Sequence, residues 1–245
     1  MATATLDREV ALGGVPNARH IGGYRAAGGR LTSGRIIRSA GLHHLTAETT
    51  AALVHAGVTT VLDLRSGKER DEFRTPDLAP HGIHHVFAPV FESDGSPVGL
   101  AAEFRGYQPV YRNFLETGRA AYRTLADTLG ETDGGFLYHC AVGKDRTGVA
   151  TALLLDLVGV PDEEILDDYS HSARLLAPML PRWKEGMKER GLDPARAEEM
   201  MASHPEDMAA LLAHLRDRWG DAEGHFLDIG VALATLTRVR ERLIE

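Results

Sequence analysis

The run Gly135-Phe136-Leu137-Tyr138-His139-Cys140-Ala141-Val142-Gly143-Lys144-Asp145-Arg146-Thr147-Gly148 constrains this chain more than any other stretch. Gly135 to His139, entered through the turn-prone Asp133-Gly134, reads as a short buried strand. Thr147 to Val158 contains good helix formers and closes with Gly159 and Pro161, so a helix follows. The residues between Cys140 and Arg146 must therefore curl tightly, which Gly143 and Gly148 permit. A loop curled between a strand and a helix N-terminus turns successive N–H groups to one side and makes a concave seat for an anion. Arg146 adds a planar, permanently charged fork suited to gripping two oxygens of one phosphoryl group. At the floor of the seat the same positive field favours the thiolate of Cys140, the nucleophilic form of the side chain. The pattern points to hydrolysis of a phosphate ester through a phospho-cysteine intermediate. Cys140 is then the expected nucleophile and Arg146 the clamp, and the phosphate lies against Ala141, Val142, Gly143, Lys144, Asp145 and Arg146. Enriching a thiolate contributes little compared with what phosphoryl transfer demands, so charge stabilisation by Arg146 and the amides is expected to dominate.

Around this loop stand the supporting candidates. His139 is placed to bond backbone around the loop, and Thr147 or its neighbours to donate to the sulfur. A leaving alkoxide or phenolate needs a proton, and two carboxyls qualify: Asp145 within the loop, and Asp63 at the end of a neighbouring strand. That strand, Val58-Thr59-Thr60-Val61-Leu62-Asp63-Leu64, is apolar and β-branched, as a strand buried on both faces is, and it delivers Asp63 and Arg65 to its carboxyl end. Asp63 can equally be a structural carboxylate paired with Arg38 or Arg65. Lys144 is expected to face the same pocket, where a second positive charge suits a substrate with more than one phosphate.

The rest of the chain alternates short apolar runs with Gly and Pro punctuation, the rhythm of an α/β fold with a mostly parallel central sheet flanked by helices. Arg35 to Arg38 reads as a strand, and Thr46 caps a helix that Gly57 ends. Phe91 to Gln108, rich in Gly, Pro and acidic residues, reads as a surface excursion. From 162 to 220 the pattern turns helical. Ile165, Leu166, Tyr169, Ala173 and Leu176 share one face, Met208, Leu211, Leu212, Leu215 and Trp219 another, and Ser203 with Glu206 forms a capping box. We read a single domain over 1–245 with 162–220 as a lid-like helical insertion, and one terminal helix over 226–244.

Net charge is −8, which argues against general affinity for nucleic acid or acidic membranes. The single cysteine excludes internal disulfides and cysteine-based metal clusters, as expected of a reducing compartment. No secretory signal or integral membrane segment is visible, so a cytoplasmic protein is expected. His81, His84 and His85 invite a metal reading, but neighbouring strand residues face opposite sides and no carboxylate completes the set. No metal or other cofactor is expected.

These residues resemble the bacterial tyrosine phosphatase family with the loop His-Cys-x-x-Gly-Lys-Asp-Arg-Thr-Gly. The likeness extends to Asn17-Ala18-Arg19-His20-Ile21-Gly22-Gly23-Tyr24, to Gly34-Arg35-Ile36-Ile37-Arg38-Ser39-Ala40, and to Leu62-Asp63-Leu64-Arg65-Ser66 with Glu69. It implies the Cys-based phosphatase fold, no metal, phosphotyrosine proteins as substrate and helices after the loop acting as a lid. It implies also that Lys144 widens the range to phosphoinositides and that Asp145 does the acid's work. One position departs: the family usually has Asp where this chain has His20. Three alternatives remain open: a phosphoinositide or inositol-phosphate phosphatase of the same mechanism, a catalytically silent phosphate-binding module, and a rhodanese-like sulfur carrier.

Overall fold

The computed structural model describes residues 8–92 and 106–244. At its centre is a five-stranded sheet of β1 (Arg19–His20), β2 (Ile36–Ser39), β3 (Val58–Asp63), β4 (His84–Phe87) and β5 (Gly135–His139), in the order β1-β2-β5-β3-β4. β1 runs antiparallel to β2, and the other three pairings are parallel, so the mostly parallel α/β architecture read from the sequence is present. The middle strand is the one that leads into Cys140. Its central place follows from composition, because all five of its residues are buried and only a strand covered on both faces needs such a run.

Side-chain alternation divides the core between the two faces. Phe136, Tyr138, Leu62 and Ile36 point into the larger hydrophobic cluster, and Leu137, Val61 and Ile37 into the smaller one. The smaller cluster lies under α1 (Ala47–His55), which Leu53 anchors. Thr46 caps α1 by accepting from the Thr49 amide at 3.1 Å, and Gly57 follows it at φ +71°. A second short helix, α2 (Gly67–Glu72), opens with a capping box between Ser66 and Glu69. The larger cluster is closed by α3 (Tyr107–Thr117), α4 (Arg119–Glu131) and α5 (Asp145–Leu157). Nearly every side chain of α5 is buried, which is why its sequence shows an apolar run rather than one apolar stripe. Leu153 on α5 is fully buried, so Leu153→Ala is expected to lower the unfolding free energy by about 2–5 kcal/mol. Urea denaturation measures this, and an unchanged midpoint would show that the site collapses around the smaller residue.

The helical region comprises α6 (Asp162–Leu176), α7 (Leu180–Glu189), α8 (Ala195–Met201) and α9 (Pro205–Trp219). Ile165 and Tyr169 of α6 and Met208, Leu211, Leu212 and Leu215 of α9 belong to the same large cluster as the sheet. Two expectations need correction. The Ser203–Glu206 capping box does not form: α9 starts at Pro205 with His204 as its cap residue, and the buried Ser203 hydroxyl has no partner among the described residues. Pro205 takes the first helical position, where its fixed φ fits and its missing N–H costs nothing, and this moves the start one residue along. The expected terminal helix is two helices, α10 (Ala222–Asp228) and α11 (Leu233–Leu243), separated where Gly230 adopts φ +86°. The surface excursion expected over 91–108 lies largely in 93–105, outside the described residues. No described helix is long and apolar enough to cross a membrane.

Candidate active site

Cys140 follows β5 directly and is 1% exposed. The next helix begins at Asp145, two residues earlier than the composition indicates, so Asp145, Arg146 and Thr147 all lie in its first turn. There the unpaired N–H groups and the helix dipole act together on an anion. Gly143 has φ +69°, and a Cβ on it would stand 2.4 Å from the Ser39 carbonyl oxygen, so the loop is pressed against the end of β2 in a way only glycine allows. Asn17 Nδ2 donates to the Val142 and Gly143 carbonyls at 3.1 and 2.9 Å, and Arg38 Nη2 donates to the Gly143 carbonyl at 2.7 Å. His139 is buried and its Nδ1 bonds the Cys140 carbonyl at 3.1 Å. The Thr147 hydroxyl is buried without a partner among the described residues.

Arg146 is 7% exposed, and its Nη1 and Nη2 donate to the two Glu69 oxygens at 2.6 and 2.7 Å. Burial opposes the guanidinium's charge, but the Glu69 bonds and the nearby Cys140 push its pKa further above the usual value. Burial also raises the Glu69 carboxyl, and the bonds and charge of Arg146 outweigh it and hold that group below the usual carboxylate range. Glu69 is aimed by the Ser66 capping box, in which Ser66 N donates to its Oε2 at 2.9 Å. Arg146 Nε bonds nothing among the described residues, so the clamp is braced from one edge and open along the other. Sequence reasoning named Glu69 only within the resemblance and missed this contact. The Ser66-x-x-Glu69 spacing signals the cap, but nothing local shows that the carboxylate also reaches Arg146.

Asp145 is partly exposed, its side chain 21% accessible. The Tyr111 hydroxyl donates to its Oδ1 at 2.6 Å, and Tyr169 lies 2.7 Å from Tyr111. Burial, then the neighbouring Asp145, raise the Tyr111 pKa far above its usual value. Tyr111 has one proton and gives it to Asp145, so Tyr169 donates to Tyr111. Lys144 is placed differently from expectation. It is fully buried, and its Nζ donates to the Met200 and Ala202 carbonyls at 2.6 and 2.8 Å, 3.7 Å from the centre of the Tyr107 ring. Burial lowers its pKa and Asp145, 3.3 Å away, works against that. Its charge is spent on the carbonyls at the end of α8, which lack helical partners, rather than offered to a second phosphate.

A family model described as tyrosine phosphatase family matches residues 10–245. The chain belongs to that family. A putative tyrosine-protein phosphatase of Cupriavidus necator is 30% identical over 234 residues, covering 90% of this chain and 83% of that protein. The triple specificity protein phosphatase PtpB of Mycobacterium tuberculosis is 29% identical over 259 residues, covering 87% of this chain and 92% of its own length. A crystal structure of Pseudomonas aeruginosa TpbA aligns with TM-score 0.37 at 17% identity, over 79% of this chain and 85% of that one.

In this tyrosine phosphatase the other candidate acid, Asp63, is fully buried. Both its oxygens accept from Arg65: Nε reaches Oδ1 at 2.9 Å and Oδ2 at 3.2 Å, Nη2 reaches Oδ2 at 2.7 Å, and the Arg65 amide reaches Oδ1 at 3.0 Å. Burial alone raises the Asp63 carboxyl, and His139 and Arg65 outweigh it and hold it below the usual range. Arg65 also donates to the Phe73 carbonyl and the Thr75 hydroxyl at 2.9 and 3.0 Å, so it ties the chain after β3 together. His85, rather than His81 or His84, joins Asp63 and His139 in a cluster of possible ligand atoms within 4.8 Å of one another. The Asp63 oxygens are already occupied by the Arg65 guanidinium, whose charge opposes a cation there. Burial lowers the His139 pKa to about 4 against the pull of Asp63, so the ring is neutral at pH 7.

Proposed function

We propose that this phosphatase hydrolyses phosphotyrosine monoesters by in-line attack of the Cys140 thiolate on phosphorus. The amides of residues 141 to 146 and the free edge of Arg146 receive the equatorial oxygens, and Asp145 gives its proton to the leaving phenolate. A water molecule then attacks the phospho-cysteine, with Asp145 taking that proton, and inorganic phosphate leaves. The observation that carries this reading is Arg146 held in two-point contact by Glu69 within the first helical turn beyond Cys140. A guanidinium aimed in advance, beside amides that need not reorganise, stabilises the transition state more than the ground state. The phosphoinositide alternative leaned on Lys144, whose ammonium is engaged by Met200 and Ala202. Comparing a phosphotyrosine peptide with an inositol phospholipid tests the substrate class, and preference for the lipid would reverse it. We take the 162–220 helices as the cover of the site, with Lys144 joining the loop to α8.

The assignment of the acid has its own test. Asp145 is accessible and bonded on one oxygen by Tyr111, whereas Asp63 is sealed beneath Arg65. On a phosphate ester with a poor leaving group, Asp145→Asn is expected to lower kcat by roughly 10²–10⁴-fold and to flatten the alkaline limb of the pH–rate profile. Asp63→Asn is expected to keep that limb while costing stability, because it leaves Arg65 buried beside a neutral partner. A profile that flattens in the Asp63 variant alone would transfer the role.

A further inference from the structure

Two buried arginines and one buried aspartate lie behind the loop, and the mechanism above uses none of them; Arg19 and Arg38 fall within the segments that carry the family likeness, Asp168 outside them. Asp168 on α6 is 1% exposed; Arg19 and Arg38 are completely buried. Asp168 Oδ1 accepts from Arg19 Nε and from the Tyr24 hydroxyl, both at 3.0 Å, and its Oδ2 accepts from Arg38 Nη1. Arg19 Nη2 also donates to the Asp168 carbonyl at 2.9 Å and to Ser172 Oγ at 3.1 Å, while its Nη1 donates to Asn17 Oδ1. Two chains of bonds therefore start at Asp168. One runs through Arg38 to the Gly143 carbonyl, the other through Arg19 and Asn17 to the carbonyls of Val142 and Gly143.

Both chains reach the Gly143 carbonyl, and the one through Asn17 also holds that of Val142. In a planar trans peptide the carbonyl of one residue and the N–H of the next point in opposite directions. Holding the Val142 and Gly143 carbonyls outward therefore aims the Gly143 and Lys144 amides inward, at the anion. Neither amide donates to any described residue. Asn17 is suited to the junction: it takes φ +56°, the only positive φ on a described non-glycine residue, which Asn tolerates better than most residues. Its amide is polarised at both ends, by Arg19 on the oxygen and by the loop on the nitrogen. Stability alone does not account for three buried charges, since apolar side chains of similar volume usually serve a core at least as well. Two guanidiniums against one carboxylate also leave one net positive charge behind the loop.

We infer that Asn17, Arg38 and Asp168 are positioning residues that set the anion-binding amides of the Cys140–Arg146 loop, with Asp168 making this a function of the helical region as well as of the sheet. The inference rests on the loop being the reaction site. Its test is Asn17→Asp, measured with an aryl phosphate as substrate and vanadate as a mimic of the trigonal-bipyramidal transition state. The new carboxylate still accepts from Arg19 and still tolerates the positive φ, so the fold is kept. It loses both donors to the loop and sets negative charge against two carbonyls. The vanadate Ki is expected to rise, and kcat to fall, by roughly 10–100-fold, the scale on which groups supporting a site's direct ligands act, with KM changing much less. Thermal unfolding is followed alongside. The vanadate Ki reports only folded molecules, so an unchanged Ki would overturn the inference whatever happens to stability. An active Cys140→Ser protein would instead remove the mechanism itself, so the two failures are told apart.

Discussion

Cys140→Ser is expected to abolish hydrolysis of phosphotyrosine peptides and aryl phosphates, with a loss of about 10⁴-fold or more in kcat. The substitution exchanges a polarisable, intrinsically nucleophilic sulfur for a hydroxyl that stays protonated at neutral pH. None of the neighbouring groups is placed to activate that hydroxyl in the proposed mechanism: His139 is turned to the Cys140 carbonyl, Asp63 is enclosed by Arg65, and Asp145 holds the proton meant for the leaving group. The change is a single buried atom, so the fold and the anion seat are retained. Inorganic phosphate is therefore expected to bind the variant about as well as the parent, which separates loss of chemistry from loss of structure. Cys140 is the only cysteine in the chain, so alkylation supplies a second readout. One equivalent of iodoacetate is expected to inactivate the parent, and phosphate to protect it. A serine variant that turns over aryl phosphate at the parental rate would refute the covalent mechanism.

Arg146→Lys keeps the charge and is nevertheless expected to lower kcat by roughly 10³-fold or more, the order of effect seen where a guanidinium stabilises a phosphoryl transition state. The reason lies in shape. Two Arg146 nitrogens are fixed on Glu69 at 2.6 and 2.7 Å, which leaves the edge that carries Nε for the anion in the proposed mechanism. An ammonium is a point donor that cannot hold Glu69 on one side while forking two oxygens on the other. It is expected to pair with Glu69 and withdraw from the anion, so kcat falls more than substrate affinity does. Steady-state kinetics on an aryl phosphate, with kcat and KM resolved separately, check this. Retention of more than a tenth of the parental kcat would show that charge alone suffices.

Much of the site was legible in a single run of residues because its geometry is local. A buried strand, the loop 140–144 and a helix start lie within one segment, so Cys140, the loop amides and Arg146 are brought together by neighbours in the chain. The mostly parallel sheet was legible for a related reason: Val58 to Asp63 and Gly135 to His139 have the composition of strands covered on both faces. Helix limits were less secure. A proline at the first helical position displaced the expected cap of α9, and Gly230 divided an apolar periodicity that continues across it.

The remaining functions depend on which distant side chains meet, and residue type alone does not reveal that. Lys144 has the same charge whether it faces a phosphate or the Met200 carbonyl, and only the packing of α8 against the loop chooses. Asp63 and Asp145 were both candidate proton donors in the sequence, and only packing shows that Asp63 is buried against Arg65 while Asp145 stays partly exposed. Glu69 lies 77 positions from Arg146, and Asp168 lies 130 from Arg38. Local pattern thus specified the sheet and the strand–loop–helix run that carries Cys140 and Arg146, whose interactions span a few residues or follow the period of a strand. Long-range packing decided the surroundings of Asp63, Asp145 and Arg146, because desolvation and charge pairing act through space and carry no signature along the chain.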